Sequence, residues 1–249
     1  MKLLLLLSVI LFNVLFSMTG LELATLVDSR LKPLDIKSKN TMKLIDGDKI
    51  KKTYELITKS KDNSKKQMIW FLQPAKNKGT AFLKIEHEDQ DDLMTMWLPG
   101  FRSDKRIRTS EKSDSFMGSD LSFEDLTNRE LSDYEYKIVE ENIENNWYKL
   151  ESIPLGIDTE YSKHITKITE IEEGVFIALE EESYDKENQL LKTKKFKFEK
   201  IEDYYIMKGL EVRNVQENKS TILTVNDITL NNNFEDAMFI VRSLKRLPK

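Results

Sequence analysis

Alternation of apolar and polar residues along many short segments is the feature that most limits what this chain can fold into. In residues 53–58, and again in residues 81–86, successive side chains differ in character, which is the period of a β-strand with two unlike faces. Similar segments, rich in β-branched and aromatic residues, recur through most of the chain. They predict further strands at Met68–Leu72, Leu93–Leu98, Arg106–Thr109, Tyr134–Val139, Trp147–Ile153, Ile165–Ile171, Val175–Tyr184, Leu191–Phe198, Tyr204–Val212 and Thr221–Ile228. This number of strands requires an extensive sheet.

The segments between the predicted strands are short and polar, and they contain residues that tolerate a left-handed backbone. Such segments form the tight turns of β-hairpins. The turns are expected at 46–48, 61–64, 172–174, 185–188 and 217–220. Because tight turns join antiparallel neighbours, we predict a mainly β fold of the α+β class, built on one large curved antiparallel sheet. The absence of a sequence repeat or a Gly/Ser-rich linker predicts one domain over residues 20–249.

Three segments carry the apolar spacing of helices rather than strands. Thr19 and Glu22 have the spacing of a capping box, and the amphipathic helix that follows ends before Lys32-Pro33. A short helix is predicted near Ser122–Thr127, and a C-terminal helix is predicted around Asn233–Leu244. We expect these helices to pack on one face or at one end of the sheet.

The N-terminus predicts export. One lysine precedes an apolar run from Leu3 to Met18, which is typical of a cleaved secretory signal peptide over residues 1–19. The alternative is an uncleaved membrane anchor, but the run is short for about 30 Å of hydrocarbon, and Asn13 interrupts it. The chain has no cysteine, which excludes disulfides, thiolate sites and the lipid-bearing cysteine of a bacterial lipoprotein. We expect a periplasmic protein with no stable membrane insertion after cleavage.

The balance of charge argues against one class of partner. The chain carries 39 basic and 43 acidic residues, a formal net charge of −4, so it lacks the strong cationic field that a nucleic-acid-binding protein needs. Charged residues make up 33% of the chain, against about a quarter in an average domain. Many strands must therefore have a polar face in contact with water.

Residues suited to catalysis or metal binding are few. His87 and His164 are the only histidines, so a histidine-based triad or zinc site lacks side chains. The pair Glu124-Asp125, the run Glu180–Glu182 and the acidic loop around His87 are interpreted as solvated surfaces. Nucleophile elbows, P-loops and dinucleotide-binding motifs are absent. We expect no cofactor, no metal and no enzymatic activity, with a carboxylate-based hydrolase as the enzymatic alternative.

Residues 97–126 combine aromatic residues, a basic stretch and a Ser/Gly/Asp cluster. Gly118, Ser119 and Asp120 predict a backbone turn, because glycine permits a left-handed conformation and the polar side chains make local hydrogen bonds. The turn directs Phe116 and Met117 either at an apolar cavity or into a closed core. The residue types favour neither alternative, because aromatic residues and methionine fill cores as readily as ligand sites.

The neighbouring strands add large apolar side chains near two prolines, an arrangement that suits the mouth of a hydrophobic cleft, although core packing is the default for each residue alone. The predicted cavity wall or lid comprises Trp70, Phe71, Met94, Met96, Trp97, Leu98, Phe116 and Met117. The predicted contacts to an anionic headgroup or acidic partner are Arg102, Arg106 and Arg108. In the alternative interpretation, Asp104 and Glu111 simply neutralise a solvated strand face.

These motifs resemble the LolA-like group of outer-membrane lipoprotein-sorting proteins. The similarity rests on Trp97-Leu98-Pro99, on the Arg-rich strand that follows, and on the turn at residues 116–120. It extends to Pro74 followed by Lys78-Gly79-Thr80. The resemblance implies an unclosed, half-open antiparallel β-barrel with helices in or over its opening.

The resemblance also implies a function. Members of the group carry acylated lipoproteins across the periplasm by sheltering the acyl chains, and the lack of cysteine makes this chain similar to the soluble carrier. The implied partners are lipoprotein acyl chains or free lipid, with an inner-membrane exporter as a further candidate and a monomer as the expected state. An exported structural or interaction protein with a closed core, and an accessory protein of a membrane lipid exporter, are the alternatives.

Overall fold

The structure is a computed structural model that describes residues 18–248. Within this range, thirteen strands form one sheet in which every pair of neighbours is antiparallel. The strands are β1 (Asp35–Asp46), β2 (Lys49–Lys61), β3 (Lys66–Gln73), β4 (Ala81–Ile85), β5 (Leu93–Leu98), β6 (Ser103–Ile107), β7 (Tyr134–Asn142), β8 (Trp147–Pro154), β9 (Lys163–Glu172), β10 (Val175–Tyr184), β11 (Leu190–Ile201), β12 (Tyr204–Asn214) and β13 (Lys219–Leu230). The helices are α1 (Gly20–Ser29) and α2 (Val241–Leu244).

The order of the strands leaves the sheet open. It runs β6-β5-β4-β3-β2-β1-β13-β12-β11-β10-β9-β8-β7, so most neighbours are also consecutive in sequence. One long-range pairing joins β1 to β13, from Ile36 opposite Leu230 to Asp46 opposite Lys219. In the described range, the edge strands β6 and β7 are not paired with each other. The predicted class, a mainly β, half-open barrel with few helices, is confirmed.

The elements differ from the predictions in three places. Strand β1 was not predicted, because its polar residues hide the alternation and Met42 is its one apolar residue that is buried. The predicted helix near Ser122–Thr127 is a 3₁₀ turn, Glu124–Leu126. The predicted C-terminal helix is reduced to a 3₁₀ turn and the single turn of α2. All five predicted turns connect consecutive strands.

Helix α1 packs against β7, β8 and β10 at one end of the sheet. Thr19 and Glu22 cap it reciprocally, as the sequence predicted. Leu23 is fully buried in a cluster with residues of β8–β10. A Cβ atom at Gly20 would lie 2.6 Å from the carbonyl of Tyr136 on β7, so only glycine permits this approach.

The predicted signal peptide, residues 1–19, lies outside the described residues except for its last two positions. Met18 packs against the α1 cluster and Thr19 is the helix cap. Across residues 18–248, no helix combines the length and apolar character needed to cross a bilayer.

The N-terminal half of the sheet is covered on both faces. Its concave face carries an aromatic and methionine cluster that includes Phe71, Phe82 and Met94. Its convex face carries a second cluster, in which Trp70 packs with Phe239 from the C-terminal segment. Both faces are apolar because each is shielded from water by another part of the chain.

Candidate functional site

Residues 108–133, the crossing segment, connect the two edge strands by running over the concave face of the sheet. The Tyr54 hydroxyl of β2 donates a hydrogen bond to the carbonyl of Met117 at 3.0 Å. The Thr221 hydroxyl of β13 donates to the Asp120 carboxylate at 2.7 Å. The segment therefore reaches from one half of the sheet to the other.

A tight turn shapes the middle of the crossing segment. Met117 and Gly118 both have a left-handed backbone, with φ of 56° and 79°. The Ser119 hydroxyl donates to the carbonyl of Phe116 at 2.7 Å, and the N–H of Phe116 donates to the carbonyl of Leu121 at 2.7 Å. These bonds fix the direction of the Phe116 ring.

Phe116 is the centre of an aromatic cluster on the concave face. Its ring centroid lies 5.9 Å from that of Phe71, 5.4 Å from Phe82 and 5.7 Å from Phe123. The last two contacts are edge-on, a favourable geometry for aromatic rings. The cluster anchors the crossing segment to β3 and β4.

A cavity of about 500 Å³, the inner cavity, lies between the crossing segment and the concave face. Its lining is largely apolar where strands of both halves of the sheet meet. The sheet contributes Met42, Leu56, Ile69, Phe196, Leu223 and Val225, and the crossing segment contributes Phe116, Leu121 and Leu126. The half-open barrel is therefore not fully filled by its own side chains.

A second cavity of about 600 Å³, the polar cavity, lies on the other side of the crossing segment. Both cavities are lined by Leu121, Asp125, Thr127 and Asn128 of the crossing segment and by Phe196 and Leu210 of the sheet. The crossing segment therefore lies between an apolar and a polar compartment of the barrel, which meet at the sheet.

Five charged residues at the polar cavity form an ion network, defined as Asp125, Arg129, Glu181, Lys192 and Lys194. The Lys194 ammonium lies 2.6 Å from Asp125 and 3.1 Å from Glu181. Lys192 contacts the other oxygen of Asp125 at 3.0 Å, and Arg129 contacts Glu181 at 2.7 Å. Only 1% of the Asp125 side chain is exposed. The network joins the crossing segment to β10 and β11.

The charges of the ion network stabilise one another. Burial alone would raise the pKa of Asp125, but the ammonium groups of Lys194 and Lys192 hold it well below its usual range. Burial opposes ionisation of Glu181 as well, and Arg129 and Lys194 lower the pKa of Glu181 well below normal. Burial would lower the pKa of Lys194, yet Asp125 and Glu181 raise it. Asp125, Glu181 and Lys194 are therefore charged at neutral pH.

His164 lies beside the ion network in its neutral form. Burial, followed by the charge of Arg129, lowers its pKa well below the usual value. Its Nδ1 atom lies 3.2 Å from an Arg129 nitrogen, which can only donate, so Nδ1 accepts and the proton is on Nε2. Nε2 is buried without a partner among the described residues. The site therefore leaves one donor unsatisfied.

The interpretation of the acidic pairs as solvated surfaces was wrong for Asp125 and Glu181. Along β10, Glu180 and Glu182 are exposed while Glu181 points inward, as strand alternation requires. Glu124 is also partly buried, and it accepts hydrogen bonds from the Thr159 hydroxyl and the Glu160 N–H. His87 is exposed in its loop.

No group of three or more His, Asp or Glu side chains in residues 18–248 is arranged to hold a metal ion. The expectation that the protein uses no metal and no cofactor stays a prediction. The carboxylates nearest to such a role, Asp125 and Glu181, are already engaged by cationic side chains.

The eight apolar residues predicted to form a cavity wall do not share one surface. Those in the cluster of the concave face are Phe71, Met94, Met96, Leu98, Phe116 and Met117. Of the eight, Phe116 alone lines the inner cavity. Trp70 and Trp97 lie on the convex face with the C-terminal segment, where the Lys245 ammonium lies 4.7 Å from the Trp97 ring centroid.

The three predicted headgroup arginines lie away from both cavities. Arg102, Arg106 and Arg108 are exposed on or beside the edge strand β6. Sequence reasoning missed Arg30, whose side chain lines the inner cavity. It is the C-cap residue that follows the last residue of α1, so no strand pattern drew attention to it.

Sequence reasoning also missed the lysines of the ion network, although a signal for them exists. Lys192, Lys194 and Phe196 share one face of β11 because they alternate. The predicted hairpin turn at 185–188 places Glu181 opposite Lys194, and this register is observed. Opposite charges in register on an inward face indicate a buried ion pair.

Comparisons with known proteins agree with this architecture. A domain described as an outer membrane lipoprotein-sorting protein, from Vibrio parahaemolyticus, is 28% identical over 91% of this chain and 98% of its own, with a TM-score of 0.82. A DUF1329 family protein from Desulfovibrio piger is 30% identical over 90% of this chain and 97% of its own, also with a TM-score of 0.82. A LolA superfamily protein from Nitrosomonas europaea, 17% identical over 91% of this chain and 99% of its own, shares the fold with a TM-score of 0.71.

A family model described only as an uncharacterized protein matches residues 63–246, which is more than half of the chain. No curated protein matches the chain in sequence. The family is assigned from the sequence identity to the Desulfovibrio protein and from the coverage of both chains, and the shared half-open barrel agrees with it. The chain belongs to the DUF1329 family, and it shares its fold with the LolA superfamily protein.

Proposed function

We propose that the protein is a non-enzymatic periplasmic carrier, which shelters an acyl chain of a lipoprotein or lipid in the inner cavity and moves it between membranes. The inner cavity is the observation that carries this proposal. Its volume of about 500 Å³ falls within the roughly 300–1,000 Å³ of small-molecule sites. Burial of an acyl chain gives about 0.8 kcal/mol per CH₂, so apolar contact alone holds the chain.

The family relationship supports the same function. The Vibrio parahaemolyticus relative, described as a lipoprotein-sorting protein domain, covers nearly the whole chain. Fold alone does not determine function, so the proposed function rests on the inner cavity as well. We expect a monomer, with an inner-membrane lipid exporter as a candidate donor of the cargo.

The ion network supports a structural rather than a catalytic role for the buried charges. Lys194 bridges Asp125 and Glu181, and Lys192 occupies the second oxygen of Asp125. Groups that satisfy one another in this way are poor general acids or bases, because a catalytic group needs a pKa near the working pH.

A variant that fills the inner cavity tests the proposal. Val225 is buried on β13 and lines the cavity, whereas Thr224, its neighbour, is exposed on the opposite face. We expect Val225→Trp to weaken binding of the uncharged fluorophore N-phenyl-1-naphthylamine at least about tenfold, or 1.4 kcal/mol. The matched control Thr224→Trp should bind like the natural protein.

Cargo from the cell provides the second measurement. Protein purified from the periplasm and examined by native mass spectrometry should release acyl-chain species, and the Val225→Trp variant should not. If no acyl species is recovered and no fluorophore is taken up, the carrier proposal is contradicted, and an exported structural protein with a closed core is favoured.

A further inference from the structure

The inner cavity opens to solvent at the loop between α1 and β1. Leu31 and Leu34 line the cavity, yet they are 62% and 67% exposed. Met42 lies six residues further along β1 than Ile36, which places it about 20 Å deeper at roughly 3.3 Å per residue. The cavity is therefore long, with an entrance at one end and the aromatic cluster at the other.

The two ends of the cavity differ in polarity. Near the entrance, strands β1–β3 contribute the polar side chains Ser38, Ser60 and Gln67. At depth, the lining changes to Met42 and Phe116. Such a gradient matches a ligand that has a polar head and an apolar chain.

Arg30 is a cation at the entrance without a counter-ion. Its guanidinium lies over the Phe198 ring, 5.1 Å from the centroid, which fixes its orientation. No carboxylate in residues 18–248 forms an ion pair with it, since Asp28 is engaged by Lys32 at 2.8 Å. Burial lowers the pKa of Arg30, and the charge of Asp28 opposes this shift only in part.

The other charged residues that line the inner cavity are satisfied within the protein. Lys61 is paired with Asp236 at 2.7 Å. The Asp35 carboxylate accepts hydrogen bonds from Asn232 and from the N–H of Phe234. Lys32 has its partner in Asp28, and Asp125 belongs to the ion network. Arg30 is thus left to bind a group from outside the protein.

An unsatisfied donor on Arg30 itself reinforces this conclusion. Among the described residues, six buried side-chain atoms lack a hydrogen-bond partner, and three of them belong to residues that line the inner cavity. They are Arg30 Nε, Asn40 Oδ1 and Gln67 Oε1. Arg30 Nε is a donor, and a buried donor without a partner costs free energy that an anionic oxygen would recover. The two amide oxygens are acceptors and do not bind an anion.

We infer that the inner cavity takes a single-chain amphiphile with an anionic head, a carboxylate or a phosphate, which Arg30 binds while the chain extends toward Phe116. The guanidinium fork forms charge-assisted bonds with either head. The length of about 20 Å accommodates one chain, because a chain of one leaflet spans about half of a 30 Å hydrocarbon core. This inference rests on the proposed function and specifies the chemical class of the cargo.

Matched twelve-carbon ligands test the head group. Dodecanoate, dodecyl phosphate, dodecanol and dodecylamine share one chain and differ in head, and each displaces N-phenyl-1-naphthylamine if it enters the cavity. We expect one or both anions to bind about tenfold more tightly than the alcohol, which corresponds to one charge-assisted hydrogen bond. The amine should bind more weakly than the alcohol. Comparison of the two anions identifies the source as a fatty acid or a phosphate-bearing lipid.

Variants at Arg30 assign the preference to its side chain. Arg30→Gln should bring the affinity for the anions down to that for dodecanol, with the alcohol unchanged. Arg30→Lys keeps the charge and should retain part of the preference. Arg102→Gln, which removes an exposed arginine far from the cavity, is the matched control and should behave like the natural protein. Circular dichroism and thermal unfolding confirm that each variant is folded.

The outcomes separate the two proposals. If the natural protein binds all four ligands equally, or if Arg30→Gln keeps the anion preference, the anionic-head inference is overturned while the carrier function stands. If the natural protein binds none of the ligands and no fluorophore, the carrier function fails and the inference fails with it.

Discussion

The two compartments on either side of the crossing segment are built from opposite chemistry. Toward β1–β5 the interior is held by aromatic rings and methionines around Phe116. Toward β9–β11 it is held by ion pairs around Lys194. One continuous sheet carries both kinds of interior, because the inward-facing residues are apolar in some strands and charged in others.

The contrast shows how a half-open barrel can keep an empty cavity without collapsing. Apolar contacts are non-directional, so an apolar interior could close around a smaller volume. Ion pairs are directional and costly to break once buried, and so they hold the crossing segment at a fixed distance from β10 and β11. We therefore expect the ion network to keep the inner cavity open on its apolar side.

The largest effect should follow from loss of the lysine at the centre of the ion network. Lys194→Met keeps the approximate volume but leaves Asp125 and Glu181 without their shared cation. Breaking a buried ion pair on one side costs about 3–5 kcal/mol, and denaturant unfolding should show a loss of that size. Lys195→Met, one residue along β11 on the exposed face, is the matched control and should change stability by less than about 0.5 kcal/mol.

If Lys194→Met and Lys195→Met lose equal stability, the ion network does not stabilise the polar compartment specifically. Uptake of the fluorophore provides a second measurement. The Lys194→Met variant should also take up less fluorophore when folded, because the crossing segment is no longer held over the inner cavity.

The second-largest effect should be a loss of folding stability at acid pH, through the carboxylates of the ion network. The pKa values of Asp125 and Glu181 lie below their ordinary values of 3.8 and 4.5 in the folded state. Their contribution is therefore fully present above the ordinary values and is lost as the pH falls through the folded pKa values. Denaturant unfolding between pH 7 and pH 3 should show stability that is level near neutrality and falls below about pH 4.

The variant Asp125→Asn checks the origin of this acid dependence. We expect it to be less stable at neutral pH, and its stability should fall less steeply with acid because one of the two carboxylates is gone. An acid dependence as steep as that of the natural protein would place its origin outside the ion network.

The fold was predictable to a large degree because its turns are explicit in the sequence. Tight turns at fixed positions force consecutive strands to pair, and only the pairing of β1 with β13 spans a long range. β1 itself was missed, since Ser38 and Asn40 occupy buried inward positions that usually hold apolar residues. Both of these polar residues line the inner cavity.

The site was less predictable because its parts come from distant segments. The turn at Gly118 was visible locally, whereas the pairing of Asp125 with Lys194 required the three-dimensional path of the crossing segment. Tryptophans at strand ends were assigned to the cavity, but alternation along β5 places Met96 inward and Trp97 outward. Strand alternation was therefore a better guide to the wall than side-chain size.

The smallest effect is expected in the apolar compartment. Met94 is 1% exposed and lies in the aromatic and methionine cluster of the concave face. Met94→Leu conserves volume and loses no ion pair, so denaturant unfolding should show a loss below about 1.5 kcal/mol, with the acid dependence of the natural protein retained. A loss as large as that of Lys194→Met would mean that the apolar compartment is as strictly specified as the ionic one, and that directional ion pairs are not what keeps the inner cavity open.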